Sequence, residues 1–592
     1  MTQRVARTRD ESGYAALLVS VLLPVVFLGL AALSVDVARW YVEVERVQKA
    51  ADAAALGGVT YMPQDFANAR ATATEVSSRN GYPNSGTSTV TVAQGARASE
   101  LRVTVSSRIS NAFGALLGFP EQTITRSALT DFTGPAPMGS PCNTFGNEPP
   151  SNSKAAQPSG TALPSPGFGN CSSKPDYWAL IQGPKTGKTQ GDRYSTLKCG
   201  GSFTDGCSST SSSANNLEYK DQGYFFVVRV LDAAKNTPIK VQLYDPAYVN
   251  TGTPCNGLPD SGFVAGMNDF VGADAAARYD NSANVYCSGD GDPGGGSSSD
   301  HPVTTSFTLR EQTDTLDPLQ GAPISGCTKQ FRGFEGAPSV NNLKSGSGSY
   351  NQQMAKVFHQ WADLCTFTPT RKGDYYLQVR SNVPLGGTFT TNTAGNAPVI
   401  YSENPAVSGV AGTDVSGRGS NKYAVRAVTT PSTLGTSVSV AGWERMPMFA
   451  NAPNSEPSFN LIRVLPGAGG KSFSFNFFDV GEAATTGATV TVLPPMDVTA
   501  GLTPGGTIPG CTASGPVNST NLSACSVSIS SATHDGKIQN MVVPVPSGYN
   551  CQWQTQGGCW FRVKVSFPGA SQVNDSTTWD ASIKGDPVRL IE

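Results

Sequence analysis

The sequence predicts a single N-terminal transmembrane helix that extends into a small α+β segment, followed by mainly-β domains arranged as two related β-sandwiches. Three observations predict this fold class. The stretch Ser12–Val35 carries no charged residue, which is typical of a membrane span. Many short segments after it alternate apolar and polar residues with the period of a β-strand. One strand motif recurs in both halves of this β-rich region, which indicates a duplication.

The uncharged stretch is long enough to cross a bilayer. Its 24 residues reach roughly 36 Å at about 1.5 Å per residue, more than a hydrocarbon thickness of about 30 Å. Arg4, Arg7 and Arg9 precede it, and by the positive-inside rule they keep the N-terminus in the cytoplasm. We therefore expect one membrane crossing, with the bulk of the chain outside.

A cleaved signal peptide is the alternative interpretation of this stretch. Ala32–Ser34 fits a small-x-small cleavage site, but the apolar run is longer than the roughly 7–15 residues of a usual signal peptide. Small residues within the span also predict contacts with other membrane helices. Gly29 and Ala32 allow close helix approach, the alternative being that they are simply tolerated apolar positions.

The helix is predicted to continue beyond the membrane to about residue 60. Asp36 marks the exit from the span, and Trp40 and Tyr41 follow it, where interfacial aromatic residues are enriched. The run Gln48–Leu56 is rich in alanine, the best helix former. Gly57 and Gly58 then predict the end of the helix.

The residues around the membrane exit resemble a known family. The sequence SVDVARWYVEVERVQKAADAAALGG at 34–58 is similar to the N-terminal region of TadE-like and TadG-like Flp pilus-assembly proteins. The matching residues are Val35–Val37, the pair Trp40–Tyr41 and the run Gln48–Leu56. The resemblance implies a pilin-like helix and head, a bacterial cytoplasmic membrane, and other pilus-assembly proteins as partners.

Two departures limit what the resemblance implies. Prepilins carry Glu five residues after the processing glycine, and the corresponding residue after Gly13 is Leu18, so we expect the anchor to be retained. Some TadG-like proteins carry a von Willebrand A domain with an Asp-x-Ser-x-Ser motif. This sequence has no such motif, so metal-dependent adhesion is not carried over.

Composition and strand pattern divide the chain into six segments. They are a basic cytoplasmic tail at 1–12, the transmembrane and extended helix at 13–60, a small α+β head at 61–132, a linker rich in Pro, Gly and Ser at 133–175, a first β-sandwich at 176–441 and a second at 442–592. The expected elements of the head are a helix over 63–80, strands at 89–92, 101–105 and 123–132, and a helical turn ending at Gly118.

The β-rich part contains a recurring motif. Arg229–Leu231 is followed by Tyr244–Asp245, and Arg463–Leu465 is followed by Phe478–Asp479. The interval from Val230 to Tyr244 is 14 residues, and the same interval separates the matching residues of the second copy. This agreement predicts two related sandwiches. Within the first copy, we expect the strand 240–244 to pair with the strand 223–231.

The totals exclude one class of partner and predict disulfide bonds. With 42 basic against 44 acidic residues, the chain has no electrostatic basis for binding nucleic acid. All 12 cysteines follow the span, which favours disulfides in an oxidising compartment. Because short loops close at low entropic cost, the expected pairs are Cys199 with Cys207, Cys511 with Cys525 and Cys551 with Cys559, and also Cys327 with Cys365 and Cys255 with Cys287.

No stretch carries a complete catalytic, cofactor or metal motif. Gln182–Thr189 approaches a phosphate-binding loop, but Gln182 stands where the first glycine belongs. Asp290 begins a calcium-like loop whose twelfth position is His301 instead of Glu. The other histidines, His359 and His534, lie in no catalytic motif. Six tryptophans in the predicted β-sandwiches, from Trp178 to Trp579, offer a sugar platform, although isolated tryptophans in sandwiches are more often core residues.

The sequence therefore predicts a non-catalytic membrane-anchored envelope protein without a cofactor, which presents exported β-domains for pilus assembly or surface attachment. The first alternative is a stand-alone adhesin or glycan-binding protein that shares only the anchor, so a surface or glycan ligand stays open as a partner. A secreted hydrolase is a third class.

Overall fold

The computed structural model shows two compact units, one formed by 1–134 with 586–592 and the other by 135–585. It describes residues 12–62, 66–95, 100–132, 136–147, 177–201, 203–251, 288–293, 303–313, 317–334, 342, 348–382, 417–452, 456–481, 487–554, 557–570, 573–583 and 588–590.

Four α-helices and 27 strands are named here in chain order. The helices are α1 Ser12–Val59, α2 Phe66–Arg79, α3 Gln352–Val357 and α4 Ser531–His534. The strands are β1 Ser88–Gln94, β2 Glu100–Ser110, β3 Glu121–Phe132, β4 Pro137–Gly139, β5 Thr144–Phe145, β6 Tyr177–Gln182, β7 Tyr224–Val230, β8 Ile239–Tyr244, β9 Thr305–Arg310, β10 Pro323–Phe331, β11 Trp361–Phe367, β12 Gly373–Ser381, β13 Ser420–Thr429, β14 Val438–Trp443, β15 Arg445–Ala452, β16 Ser458–Arg463, β17 Ser472–Phe478, β18 Thr489–Leu493, β19 Val498–Ala500, β20 Cys511–Ser514, β21 Ser519–Leu522, β22 Ser526–Ser528, β23 Ile538–Pro544, β24 Asn550–Cys551, β25 Trp560–Ser566, β26 Val573–Ile583 and β27 Val588–Leu590.

The first unit is an α+β head built on the second half of α1. Its antiparallel sheet has the order β1-β2-β3-β27, and α1 and α2 pack with it. Val47, Ala51 and Ala55 on α1 are fully buried, and so are Leu101 and Val103 on β2. Small side chains on one helix face let α1 lie close to the sheet, as an amphipathic helix does against a core.

The first half of α1 differs from the second in its surroundings. The helix from Ala16 to Val59 is long and apolar enough to cross a membrane, by length and composition. Leu22, Phe27 and Leu28 are each more than half exposed. Exposed apolar residues in such density are typical of a lipid-facing surface.

The head agrees with the predicted elements and adds one strand. β1, β2 and β3 extend the three predicted strands, and α2 lies within the predicted helix, of which 63–65 fall outside the described residues. The added strand is β27, which pairs with β3 through Arg589 and Asp131. Assigning the chain end, up to residue 592, to the second sandwich was therefore wrong, because Val588–Leu590 belong to the sheet of the head.

The second unit is mainly β and antiparallel. One run of paired strands has the order β11-β8-β13-β6-β15-β26-β17-β23-β20-β21. The other has the order β10-β9-β12-β7-β14-β4-β16-β25-β18-β22. Side chains from both runs form one hydrophobic core from Ala136 to Ala581, as in a β-sandwich.

The duplication predicted from the motif is present in the element order. β7, a 3₁₀ turn at Asp232–Ala234 and β8 correspond to β16, a 3₁₀ turn at Pro466–Ala468 and β17. The offset is 234 residues (466 minus 232) for the two turns. The predicted pairing of β8 with β7 was wrong, because the turn carries the chain from one run of strands to the other. β7 pairs with β12 and β14, and β8 pairs with β11 and β13.

When the second unit is divided into the halves 136–430 and 431–585, β4 is the first strand of one half and β14 the first strand of the other. The two halves exchange these strands. β4 belongs to the first half but pairs with β16 of the second, with Met138 opposite Ile462. β14 belongs to the second half but pairs with β7 of the first, with Val440 opposite Val228. β4 and β14 also pair with each other at Gly442. The residue chosen as the domain boundary therefore lies inside a continuous run of paired strands.

The segment 133–175 is not a linker over its whole length. Its described residues, 136–147, contain β4 and β5, and Phe145 is fully buried in the core. Prolines and glycines suggested a linker, but Gly139 and Gly146 adopt positive φ angles of 87° and 86°, which tight turns between short strands require.

The strand exchange predicts that the two halves do not fold separately. Expressed alone, residues 136–430 and 431–585 should each aggregate or melt without cooperativity, because each lacks one strand of its sheet and exposes core residues. Co-expressed, they should form a complex with a cooperative thermal transition. Gel filtration and calorimetry measure both results.

The continuous segment 136–585 is the matched control for these halves. If both halves are monomeric and each melts cooperatively, then the sandwiches are independent domains and the exchanged strands contribute little to stability.

Candidate functional site

Asp36 lies one residue beyond the uncharged stretch and binds a loop of the head. Only 1% of its surface is exposed. The carboxylate accepts hydrogen bonds from the backbone N–H groups of Ala112 at 2.7 Å, Phe113 at 2.9 Å and Gly114 at 2.7 Å. Arg39, one turn further along α1, lies 3.9 Å from the carboxylate. Hydrogen bonds to an ionised acceptor are about twice as strong as neutral ones.

The loop is the connection between β2 and β3. Ser110 pairs with Glu121 at its base, and Gly114–Leu117 form a 3₁₀ turn that ends at Gly118 with φ 90°. The first N–H groups of a helical turn have no partner within the turn. Asp36 supplies the missing acceptors from a distant part of the chain, as a capping aspartate does from an adjacent position.

Asn111 connects the loop to the next turn of α1. The indole Nε1 of Trp40 donates to Oδ1 of Asn111 at 2.8 Å. Nδ2 of Asn111 donates to the carbonyl oxygen of Phe119 at 2.8 Å, and its backbone N–H donates to the carbonyl of Pro120. Asn111 thus links the helix to both ends of the loop.

Glu43 continues this row of polar contacts along α1. Its carboxylate accepts hydrogen bonds from the hydroxyl of Ser107 at 2.6 Å and from that of Tyr82 at 3.2 Å. Burial, reinforced by the Glu43 carboxylate, raises the pKa of Tyr82 to about 12. The phenol therefore keeps its proton at neutral pH and remains a donor.

Of the anchor residues predicted from sequence, the structure brings two together on the head-facing side. Asp36 is buried and Trp40 is half-buried, and they contact the same loop. Tyr41 is 71% exposed, Ala32 is half-buried, and a Cβ at Gly29 would meet nothing within 4 Å. Helix contacts through Gly29 and Ala32 remain a prediction.

Residues 13–69 match the family described as Putative Flp pilus-assembly TadE/G-like. The N-terminal segment is TadE/G-like. The match confirms the resemblance seen in the sequence, and it includes Asp36 and Trp40. No curated protein matches the chain.

Outside the TadE/G-like segment, four disulfides join cysteines that both lie among the described residues. They are Cys199 with Cys207, Cys327 with Cys365, Cys511 with Cys525 and Cys551 with Cys559. These are four of the five pairs expected from loop spacing. The fifth, Cys255 with Cys287, lies outside the described residues. Cross-links over short loops stabilise mainly by restricting the unfolded chain.

In the segment Gln182–Thr189, which approaches a phosphate-binding loop, the lysine forms an ion pair within the protein. Lys188 is fully buried, and its Nζ lies 2.5 Å from Oε2 of Glu218. Arg193 contacts the same carboxylate and also lies 2.7 Å from Asp580. Burial lowers the pKa of Lys188, and Glu218 opposes this effect. The Lys188 ammonium therefore balances the half-buried carboxylate of Glu218 in the same protein.

The calcium-like loop also has an internal role in its described part. Asp290 is fully buried and accepts hydrogen bonds from the N–H groups of Val249 at 3.0 Å and Lys422 at 2.8 Å. Burial, followed by the neighbouring Asp245 carboxylate, raises the pKa of Asp290 well above its usual range. A carboxyl group with a raised pKa is a poor calcium ligand, because calcium prefers ionised carboxylates. His301, at the twelfth position of the loop, lies outside the described residues.

Asp245 and Asp479 occupy equivalent positions in the two halves. Both have left-handed backbones, with φ 51° and 62°. Oδ1 of Asp245 accepts the N–H of His359 at 3.1 Å, and Oδ1 of Asp479 accepts the N–H of Gly536 at 2.6 Å. His359 and Gly536 are also left-handed. Each aspartate directly follows one strand and binds the backbone two residues before the partner of that strand begins. The two strand pairs are β8 with β11 and β17 with β23.

One group among the described residues has metal-ligand spacing, namely Asp497, Cys551 and Cys559. The two sulfurs are bonded to each other, and only a thiolate is an effective ligand. The Asp497 carboxylate accepts the N–H groups of Gln552 at 2.9 Å and Cys559 at 3.0 Å. This group is a braced disulfide loop.

The six tryptophans of the second unit do not form an exposed sugar platform. Trp553 is half-buried, and the other five are at most 7% exposed, namely Trp178, Trp361, Trp443, Trp560 and Trp579. They contribute to the core, as isolated tryptophans in sandwiches usually do.

Loss of the Asp36 carboxylate should free the loop. In detergent-solubilised full-length protein, Asp36→Ala should increase the rate of chymotryptic cleavage after Phe113 several-fold. The three N–H groups would lose their acceptor, and opening of the loop would become easier. Peptide mapping over a time course measures the cleavage rate.

Asp36→Asn should give an intermediate rate because it keeps one acceptor oxygen. The matched control is Asp52→Ala, since Asp52 lies on the same helix but binds Gln48. Equal cleavage rates in Asp36→Ala and wild type would show that the carboxylate does not hold the loop.

Proposed function

We propose that this protein is a structural, non-catalytic component of a Flp-type pilus-assembly system in the bacterial cytoplasmic membrane. The observation that carries the proposal is the family match at 13–69, which falls on the helix that is both apolar enough to cross the membrane and bonded to the head through Asp36. Membrane segment and head thus form one compact unit.

In this proposal the helix spans the membrane once and is retained. Arg4, Arg7 and Arg9 keep the N-terminus in the cytoplasm, and the β-rich unit is exported. Its disulfides suit an oxidising compartment. The absence of the prepilin glutamate, replaced by Leu18, supports an anchor that is not processed in the manner of a prepilin.

The role outside the membrane is presentation of a rigid β-unit, and internal contacts of its polar groups support this. Asp290, Lys188 and Asp245 each bond to groups of the same unit. His359 and His534 are buried and stacked on aromatic rings. A catalytic group must reach a substrate. The burial of these two histidines therefore argues against a catalytic role for them.

The proposal predicts that deleting the gene abolishes pili and that the anchor contributes specific helix contacts. In the complemented strain, Gly29→Leu with Ala32→Leu should reduce co-purification with the other membrane proteins of the system. Larger side chains would prevent close helix approach. Electron microscopy of pili and quantitative mass spectrometry of the purified complexes measure the two effects.

Val26→Leu is the matched control, since Val26 is an exposed span residue and its replacement keeps the span apolar. Immunoblotting of membranes ensures equal protein levels. Normal pili in the deletion strain would reject the proposed function and favour a stand-alone adhesin. Unchanged co-purification of the double variant would reject the helix contacts alone.

A further inference from the structure

The loop bound by Asp36 exposes an unusual amount of apolar surface. Leu116 is 85% exposed, Phe119 68% and Phe113 41%. In the described part of the first unit, these are the exposed large hydrophobic residues that do not lie on α1. Residues 111–120 include no charged side chain, although Arg108 and Glu121 flank them. A concentrated apolar patch of this kind marks a contact site.

The hydrogen bonds fix where this patch lies along α1. β2 runs antiparallel to the helix, since Leu101 lies against Gly58, Ser107 bonds to Glu43 and Asn111 bonds to Trp40. Residues 112–114, which directly follow Asn111, bond to Asp36, one turn nearer the N-terminus of α1 than Trp40. The tip of the loop therefore lies level with the end of the uncharged stretch Ser12–Val35.

The loop holds its apolar residues outward by its own bonds. Asn111 binds the carbonyl of Phe119, the N–H of Phe119 donates to the carbonyl of Gly114, and Gly118 closes the turn with a left-handed backbone. A braced loop cannot fold Leu116 and Phe119 into the head without breaking these bonds. Their exposure is therefore a fixed property of the unit.

We propose that residues 113–119 insert into the outer face of the membrane in which α1 is anchored and form a second lipid contact beside the helix. Continuity with the span selects lipid as the occupant, since the patch lies where the helix leaves the hydrocarbon. Apolar and aromatic side chains without charge partition into this boundary region. Two contacts restrict rotation of the head about the helix axis. This inference depends on the membrane span and is independent of a role in pilus assembly.

Site-specific photo-cross-linking of the full-length chain tests the proposal. Leu116→benzoylphenylalanine and Phe119→benzoylphenylalanine variants are reconstituted in vesicles of phosphatidylethanolamine and phosphatidylglycerol, illuminated and analysed by mass spectrometry. Ala93 is the matched control, because it is exposed at the opposite end of the same sheet, opposite Arg102. Val21, exposed within the span, is the positive control.

Lipid adducts at 116 and 119 that exceed those at 93 several-fold, and approach those at 21, are the expected result. Lipid adducts at position 21 without lipid adducts at positions 116 and 119 would overturn the proposal that the loop contacts lipid. Cross-links from 116 or 119 to a second protein chain in place of lipid would overturn it as well and identify a protein interface. Deletion of the gene and inspection of pili remain the separate test of the proposed function.

Discussion

The contact between the Asp36 carboxylate and three backbone N–H groups is the constraint on which the N-terminal unit depends. A carboxylate beside a membrane span is costly to bury unless hydrogen bonds replace its hydration. The loop at 112–114 supplies these bonds. Because Trp40 and Glu43 add further bonds along the same helix face, the head is joined to the helix from the end of the uncharged stretch onward.

The second unit is held together differently, by strand exchange between its two related halves. The two halves repeat a strand, a 3₁₀ turn and a second strand that is followed directly by a left-handed aspartate, Asp245 or Asp479. β4 and β14 cross between the halves, so that one core serves both. A larger shared core buries a greater fraction of its surface than two small ones. Short disulfide loops add local restraint.

The sequence predicted local features well and long-range partners poorly. The absence of charged residues located the apolar part of α1, alanines located the rest of the helix, and alternation located β2. These signals arise from a residue's own surroundings. Alternation reveals which side chains are buried and not which strand is adjacent, so β7 and β8 were paired wrongly. Asp36 was singled out as the membrane exit, but its bond to Gly114, 78 positions away, left no local pattern. β4 and β5 were hidden because prolines and glycines also fill linkers.

Hydrogen exchange of the backbone amides at 112–114 in the full-length protein, reconstituted in vesicles, tests the central claim most directly. Ala112 and Phe113 have exposed side chains, so their amides would exchange rapidly without the carboxylate. The structure predicts exchange at least roughly tenfold slower than for unprotected amides, since hydrogen bonds to charged groups are the stronger class. Protection should be lost in Asp36→Ala while the amides of β2 stay protected. Rapid exchange at all three positions in the wild type would contradict the proposed attachment of the head to the membrane helix.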